Sequence, residues 1–539
     1  MLTHVLDAIR TFMHKDGAVL LPELELLLFA LGILAMDVWI TQRERFWSPA
    51  LALAGTVFSG LTLWMLRTRI LQSGDLIGIH ESVIADSYFV FFSALFLVAT
   101  ALVILLSLNS PATTAVNQGR HYALLLFACM SMMLMISSVD LLVIFLTLEA
   151  VAVSSYFLAA TPGFSAKPDP GAAKYFLKSA LGSAIVAYGF SLAYGLTAST
   201  NIGKVATGLD RRHNLANVLA SSRHPDAQGA QLQQLLQTRL PEALHWHPWM
   251  LQALPIAAFT LVFIGLLIKL KALPAHHWSR IANSTAPLTV TLYLGGAFVI
   301  ATIALFLRMS LTVFADSQTT WWYVIVAFSV VIIVVGTIKC FASSNLERLV
   351  TYSIPVHVGY LFLGLVAADE AALTAMTYYL FAYLFMLTGT FTVLLALRRG
   401  AHHNSEQRNT VENLLDLPGL RRRSPITALL LIVFVLSLAG FPSTAGFYWR
   451  YSFFRALSET GHHVLAWFTV VAAVPLAGAY LRIVIYAWRN NTSKPQTETA
   501  PVSFGVAEAI VLGICLFVSL AAGLYSEPFT RVARYAFGP

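Results

Sequence analysis

Charge is what this chain most lacks. Of its 539 residues only 11% are Asp, Glu, Lys or Arg while 58% are hydrophobic, against roughly 25% charged in an ordinary globular domain. A soluble fold is excluded, and a polytopic membrane protein is implied. Cysteine is equally scarce: Cys129, Cys340 and Cys515 each stand alone inside an apolar run. No CxxC or four-cysteine pattern is present to hold an iron–sulfur cluster or a disulfide framework. There is also no glycine-rich nucleotide loop and no GxSxG elbow, so substrate chemistry within the chain has no visible apparatus. The formal charge of +8 does not read as nucleic-acid binding, because the basic residues lie in short loops between apolar runs. Residues 1–17 lack a continuous apolar core and a small-residue cleavage site, so no cleaved signal peptide is expected.

What is there is a succession of apolar runs. At roughly 20 apolar residues per crossing, spans are expected near 19–40, 48–67, 86–108, 120–138, 139–161, 171–197, 250–272, 284–309, 320–342, 348–368, 371–398, 424–454, 463–488 and 503–525. That makes an all-α protein of about fourteen transmembrane helices, at the element lengths a bilayer requires. Arg43, Arg45, Lys167, Lys271, Arg280, Lys339, Arg348 and the cluster from Arg398 to Arg423 fall on loops after odd-numbered spans. The positive-inside bias makes these loops cytoplasmic and leaves both termini outside. The polar segment 201–249 has leucine spacing suited to one or two amphipathic helices at the interface. The tract 398–423 suits a lateral cytoplasmic helix.

Against that background a few ionisable residues stand out. Glu149 lies mid-span in DLLVIFLTLEAVAVSSYFL, with Lys174 and Lys178 opening the next span. Charge at such depth is costly and marks an ion or proton path more often than a fold requirement. Glu149 facing Lys174 forms one candidate pair, although a structural ion pair or amines snorkelling to the headgroups would also fit. Lys269 is deep in GLLIKLKALPAHHW, while Lys271, two residues on, is expected to reach the cytoplasmic surface. His276 follows Pro274, and His357 is alone in VTYSIPVHVGYLF; both are imidazoles suited to a proton relay. The histidines show no HExxH frame, and their tandem pairs point to different helix faces, so no metal site is expected. Two spans are expected to be broken, one at Pro274 and one at Gly440 and Pro442, each with a cation nearby, Lys269 and Arg450. Paired broken helices point toward an inverted-repeat transporter with ion sites at unwound backbone, although a proline kink is an alternative reading of each.

These residues resemble, across almost the whole chain, the subunit N family of proton-pumping NADH–quinone oxidoreductase, the respiratory complex I. The resemblance is carried by LLPELELLLFALGILAMDVW, by HYALLLFACMSMMLMISSVDLLVIFLTLEAVAVSSYFLAA, by AAKYFLKSALGSAIVAYGFSLAYGLTASTNI, and by KLKALPAHHW, SSNLERLVTYSIPVHVGY and VLSLAGFPSTAGFYWR. It implies two inverted five-helix repeats. The chain then divides into a three-helix segment at 1–118, a first repeat at 119–315 with the polar insertion 201–249, a second repeat at 316–490 and a C-terminal helix at 491–539. It implies that Glu149 and Lys174 couple this subunit to its neighbour, that Lys269, with His276, serves an input half-channel, and that the cation of the second broken helix, Arg450, serves the output, close to His357. It further implies that the chain is part of an enzyme without doing redox chemistry: NADH, flavin (FMN), iron–sulfur clusters and quinone belong to partner subunits, with no cofactor in this chain. The implied partners are the other membrane subunits, especially neighbouring antiporter-like ones, and the lipid of a bacterial inner membrane.

Three departures from the family pattern are present. Val299 stands where a lysine is usual, Arg450 where lysine is usual, and Glu347 replaces a lysine beside Arg348, in what is expected to be a loop. A guanidinium does not release its proton in proteins. These departures keep two other readings open: a subunit retained for assembly with pumping lost, and a component of a multi-subunit cation–proton antiporter.

Overall fold

The computed structural model describes residues 17, 19–39, 46–108, 118–160, 170–222, 248–272, 287–315, 318–400, 413–489 and 502–537. The chain is a helical bundle whose only sheet among these residues is the hairpin β1 (Leu76–Gly78) and β2 (Val83–Ala85). Twelve helices among the described residues are long and apolar enough to cross a membrane. In lipid every backbone polar group must be satisfied within its own segment, and helices meet that demand.

Helices α1 (Leu21–Trp39), α2 (Trp47–Ser73) and α3 (Ser87–Ser107) form an N-terminal layer against α4 (Gln118–Ser137). Asp86 starts α3 by accepting the Phe89 backbone N–H at 2.7 Å, an N-cap satisfying one of the helix's orphan donors. Asp86 also pairs with Arg308 of a distant helix. Then come α5 (Leu141–Ala160), α6 (Pro170–Thr197), α7 (Ile202–Ser222) and α8 (Pro248–Lys269). Helix α7 is the amphipathic helix expected in the polar segment, seated on Val205 and Leu209; the remainder, 223–247, lies outside the described residues, as does the stretch 401–412 of the tract 398–423 expected as a lateral helix.

Helices α6 and α8 cross closely because glycine faces glycine. A Cβ at Gly265 would meet the Gly182 carbonyl oxygen at 2.7 Å, and one at Gly182 would meet the Lys269 Cγ at 3.3 Å. Small residues that let backbones approach are a recurring means of packing in lipid, where apolar area alone drives little association. Gly182 thereby leaves room for the stem of Lys269.

The span expected at 284–309 is not continuous. It comprises α9 (Leu288–Gly295) and α10 (Ala297–Thr312), with Gly296 between them at φ −100° and ψ −89°. Both pieces are buried, Val299 among them. Around this core lie α11 (Gln318–Ala342), α12 (Leu346–Ala367) and α13 (Glu370–Gly400). Glu347 is in the first turn of α12 rather than in a loop, and it takes an ion pair from Arg398 at 3.7 Å. An acidic residue there also complements the helix dipole.

After a 3-10 turn (Leu414–Asp416) and the short α14 (Leu420–Arg423), the expected break at Gly440 is present. Helix α15 (Pro425–Ala439) ends at Gly440 in the left-handed conformation, φ 81°, and α16 (Ala445–Glu459) resumes beyond Thr444. Helices α17 (His463–Trp488) and α18 (Val506–Leu524) and the surface helix α19 (Glu527–Tyr535) complete the chain. The other expected break, at Pro274, lies outside the described residues; α8 ends at Lys269, and Lys271 sits half-buried in a left-handed turn, φ 56°.

Candidate functional site

Two clusters of polar side chains lie inside the bundle. In the first, Lys269 at the end of α8 donates to Glu149 Oε1 of α5 at 3.0 Å. The lysine side chain is fully enclosed, whereas Glu149 is about one-third exposed on the bundle's outer side, at 32%. A lysine buried in apolar surroundings keeps its charge only with a partner, and Glu149 is that partner. Glu149 is therefore held from within by Lys269, while its outer side is open to whatever covers α5. Lys174 lies on α6, but its side chain, like His276, is outside the described residues.

In the second cluster His357 of α12 is 1% exposed. Its Nδ1 shares a 2.6 Å hydrogen bond with the Tyr379 hydroxyl of α13, and its Nε2 a 3.0 Å bond with the Tyr480 hydroxyl of α17. A neutral imidazole donates through one nitrogen and accepts through the other. One phenol therefore accepts from the ring and the other donates to it. Reversing both bonds moves a proton across the ring, which is what a relay needs. Tyr383, one turn beyond Tyr379, holds its ring 5.8 Å from that of His357, tilted by 55°, and donates to the Gly295 carbonyl at 3.1 Å, at the bend between α9 and α10. Tyr383 thus links the bend at Gly296, where the helical hydrogen bonds Gly296 N–H to Leu292 O and Ile300 N–H to Gly296 O are kept, to the histidine cluster.

Arg450 stands beside this cluster. Its guanidinium lies 5.1 Å from the centroid of the Tyr360 ring and 5.6 Å from that of Trp449. Trp449 in turn stacks on Tyr379 with ring centroids 3.9 Å apart. A Cβ at Gly440 would come within 2.4 Å of Arg450 Nε. The glycine that breaks the helix also admits the guanidinium against unwound backbone. Among the described residues no carboxylate pairs with Arg450, and its Nη2 is buried without a hydrogen-bond partner. The arrangement holds a permanent positive charge against aromatic faces, a favourable contact when desolvated.

Of the residues singled out in the sequence, the structure brings Glu149 to Lys269, and His357 to the neighbourhood of Arg450. The three tyrosines were missed. For two of them the signal was present in TYYLFAYLF, where Tyr379 and Tyr383 are four apart and share a helix face; a buried phenol needs a hydrogen-bond partner.

The comparisons with known proteins agree with this architecture. Residues 138–474 match the family described as NADH:quinone oxidoreductase/Mrp antiporter, transmembrane. The chain is 32% identical over 530 residues to a NADH-quinone oxidoreductase subunit N from Solibacter usitatus, covering 96% of this chain and 97% of that one. Among solved structures, a chain of respiratory complex I from Thermus thermophilus shares the fold with TM-score 0.70 at 22% identity, covering 95% of this chain and 99% of that chain. A chain of the Mrp complex from Dietzia shares it with TM-score 0.71 at 18% identity, covering 96% and 97% respectively.

Proposed function

The chain belongs to the NADH:quinone oxidoreductase/Mrp antiporter transmembrane family, on the subunit N side, and from that premise we propose that Glu149, Lys269, His357 and Arg450 form its proton path. It is a proton-translocating membrane subunit of an NADH–quinone oxidoreductase. The observation that carries the path is the enclosed Lys269 bonded to a Glu149 whose other side is open. A change of charge outside α5 acts on Glu149, which loosens or tightens its hold on Lys269 and so alters the lysine's grip on its proton. Lys174 and His276 belong to the same path, at its coupling and input ends. His357 passes protons between Tyr379 and Tyr480, and Arg450 sets the field on that exchange without giving up its own proton.

The open side of Glu149 supports a neighbouring antiporter-like subunit packed on α5, in a bacterial inner membrane. NADH, flavin, iron–sulfur clusters and quinone are handled by the other subunits. Val299 and Arg450 favour one rival, a subunit kept for assembly alone. Protons taken up per NADH oxidised, in vesicles holding the whole complex, separate the two. Glu149→Gln should lower that yield, and an assembled variant with an unchanged yield would leave the assembly role standing.

A further inference from the structure

The N-terminal layer holds buried polar groups that neither cluster uses. Glu23, in the first turn of α1, is 2% exposed, and neither of its carboxylate oxygens has a hydrogen-bond partner among the described residues. His121, in the first turn of α4, is likewise 2% exposed with both ring nitrogens unpartnered. An uncompensated carboxylate costs several kcal/mol in an apolar setting, so such a group holds a proton or meets water. A buried polar group without a partner calls for a functional or solvent explanation.

The two residues lie toward opposite ends of the contact between α1 and α4. Near the far end of α1, Asp37 presses on the start of α4, where a Cβ at Gly119 would meet its Cγ at 2.5 Å. Glu23, at the other end of α1, is within electrostatic reach of Cys129, further along α4. On α4, His121, Leu125 and Cys129 recur every four residues and so share a face. The Tyr293 hydroxyl of α9 lies 3.3 Å from the Leu125 carbonyl and 3.1 Å from the Thr100 hydroxyl of α3, which donates to the Phe96 carbonyl at 2.8 Å and lies beside the Cys129 thiol. Tyr293 precedes the Gly296 break, where Tyr383 ties Gly295 to the His357 cluster. The hydroxyls of Thr289 and Thr291 on α9 are also buried without partners among the described residues.

We propose that Glu23 and His121 are proton-holding stations of a second, water-linked branch through the N-terminal layer, passing the Thr100 and Tyr293 hydroxyls. The inference rests on the proton-translocating reading above. The Glu23 carboxyl gives its proton to a bridging water, which passes one of its own along the water and hydroxyl chain by Thr100 and Tyr293 to one ring nitrogen of His121. The imidazole releases the proton of its other nitrogen on the far side, the carboxylate takes up a new proton on the near side, and no electron moves.

The test uses the whole complex in sealed vesicles, reading protons moved per NADH oxidised, together with infrared absorption of the assembled protein. Glu23→Gln should cause a partial loss of proton yield and remove a protonated-carboxyl band seen in the parent, while Glu23→Asp should restore both. If Glu23→Gln assembles and keeps the full yield while Glu149→Gln loses it, the branch is overturned and the main path stands. If both keep the full yield, the proton-translocating path falls with the branch. Should Glu23→Gln not assemble, Tyr293→Phe decides: a partial loss supports the branch and a full yield overturns it.

Discussion

Lys269 and Glu149, 120 residues apart in sequence, meet at 3.0 Å with the lysine wholly enclosed and the carboxylate open on one side. The asymmetry separates stability from function. Removing one partner of an enclosed pair leaves an unpaired buried charge, at about 3–5 kcal/mol, whereas replacing both with apolar or neutral groups is often near neutral. Glu149→Gln, which strands the enclosed lysine, should therefore lower the melting temperature of the assembled complex, and adding Lys269→Met should recover most of the loss. Proton yield per NADH should stay low in the double variant. A double variant that pumps normally would make the pair a packing device.

A second expectation concerns the crossing of α6 and α8. Gly182→Val places branched carbon where even a Cβ is 3.0 Å from the Gly265 carbonyl and 3.3 Å from Lys269 Cγ. Overpacking of this kind typically costs about 1–3 kcal/mol. It should also displace Lys269 from Glu149, so thermal stability and proton yield should fall together, more than for Gly195→Val, whose position has open space around it.

The tyrosines on either side of His357 are expected to act on rate more than on stability. Tyr379→Phe removes the hydroxyl bonded to Nδ1, a net loss of about 0.5–1.5 kcal/mol for a hydrogen bond, yet it cuts one of the two links across the ring. Proton yield should drop while the melting temperature shifts little, and Tyr480→Phe should behave alike because it cuts the other link. If either change leaves the yield intact, protons do not cross His357.

Composition alone carried most of the fold, because apolar runs of bilayer length have few ways to satisfy their backbone except as helices. Each of the regions expected to span contains a helix. The break at Gly440 was legible from glycine followed by proline; the one at Gly296 was not, since two glycines in an apolar run also suit close packing. Depth in a span marked Glu149 and Lys269, but the sequence offered Lys174 as the nearer partner for Glu149. Only the crossing of helices far apart in the chain brings Lys269 to it. Tyr379, Tyr383 and Tyr480 went unread because a tyrosine in an apolar helix looks like packing until its hydroxyl's partner is known. Glu23 was overlooked for a related reason: two acids near a helix start look like dipole complements, and nothing local says that one of them is enclosed.

The last expectation concerns Arg450, the cation beside the Gly440 break. Its guanidinium rests on the rings of Tyr360 and Trp449 and against Gly440, and arginine stays protonated in such a setting. If its task is to hold a fixed charge beside His357, Arg450→Lys should keep most of the proton yield, because an ammonium at the same site still supplies a cation, with some loss from poorer stacking. Arg450→Met should lower the yield clearly, since it removes the charge and keeps the volume. Gly440→Ala is the companion change: a left-handed residue with a side chain costs about 1–2 kcal/mol, and its Cβ would push the guanidinium off its seat. It should mimic Arg450→Met in proton yield even though no charge is lost. Protons moved per NADH in vesicles holding the assembled complex measure all three, and a harmless Arg450→Met would remove the residue from the path.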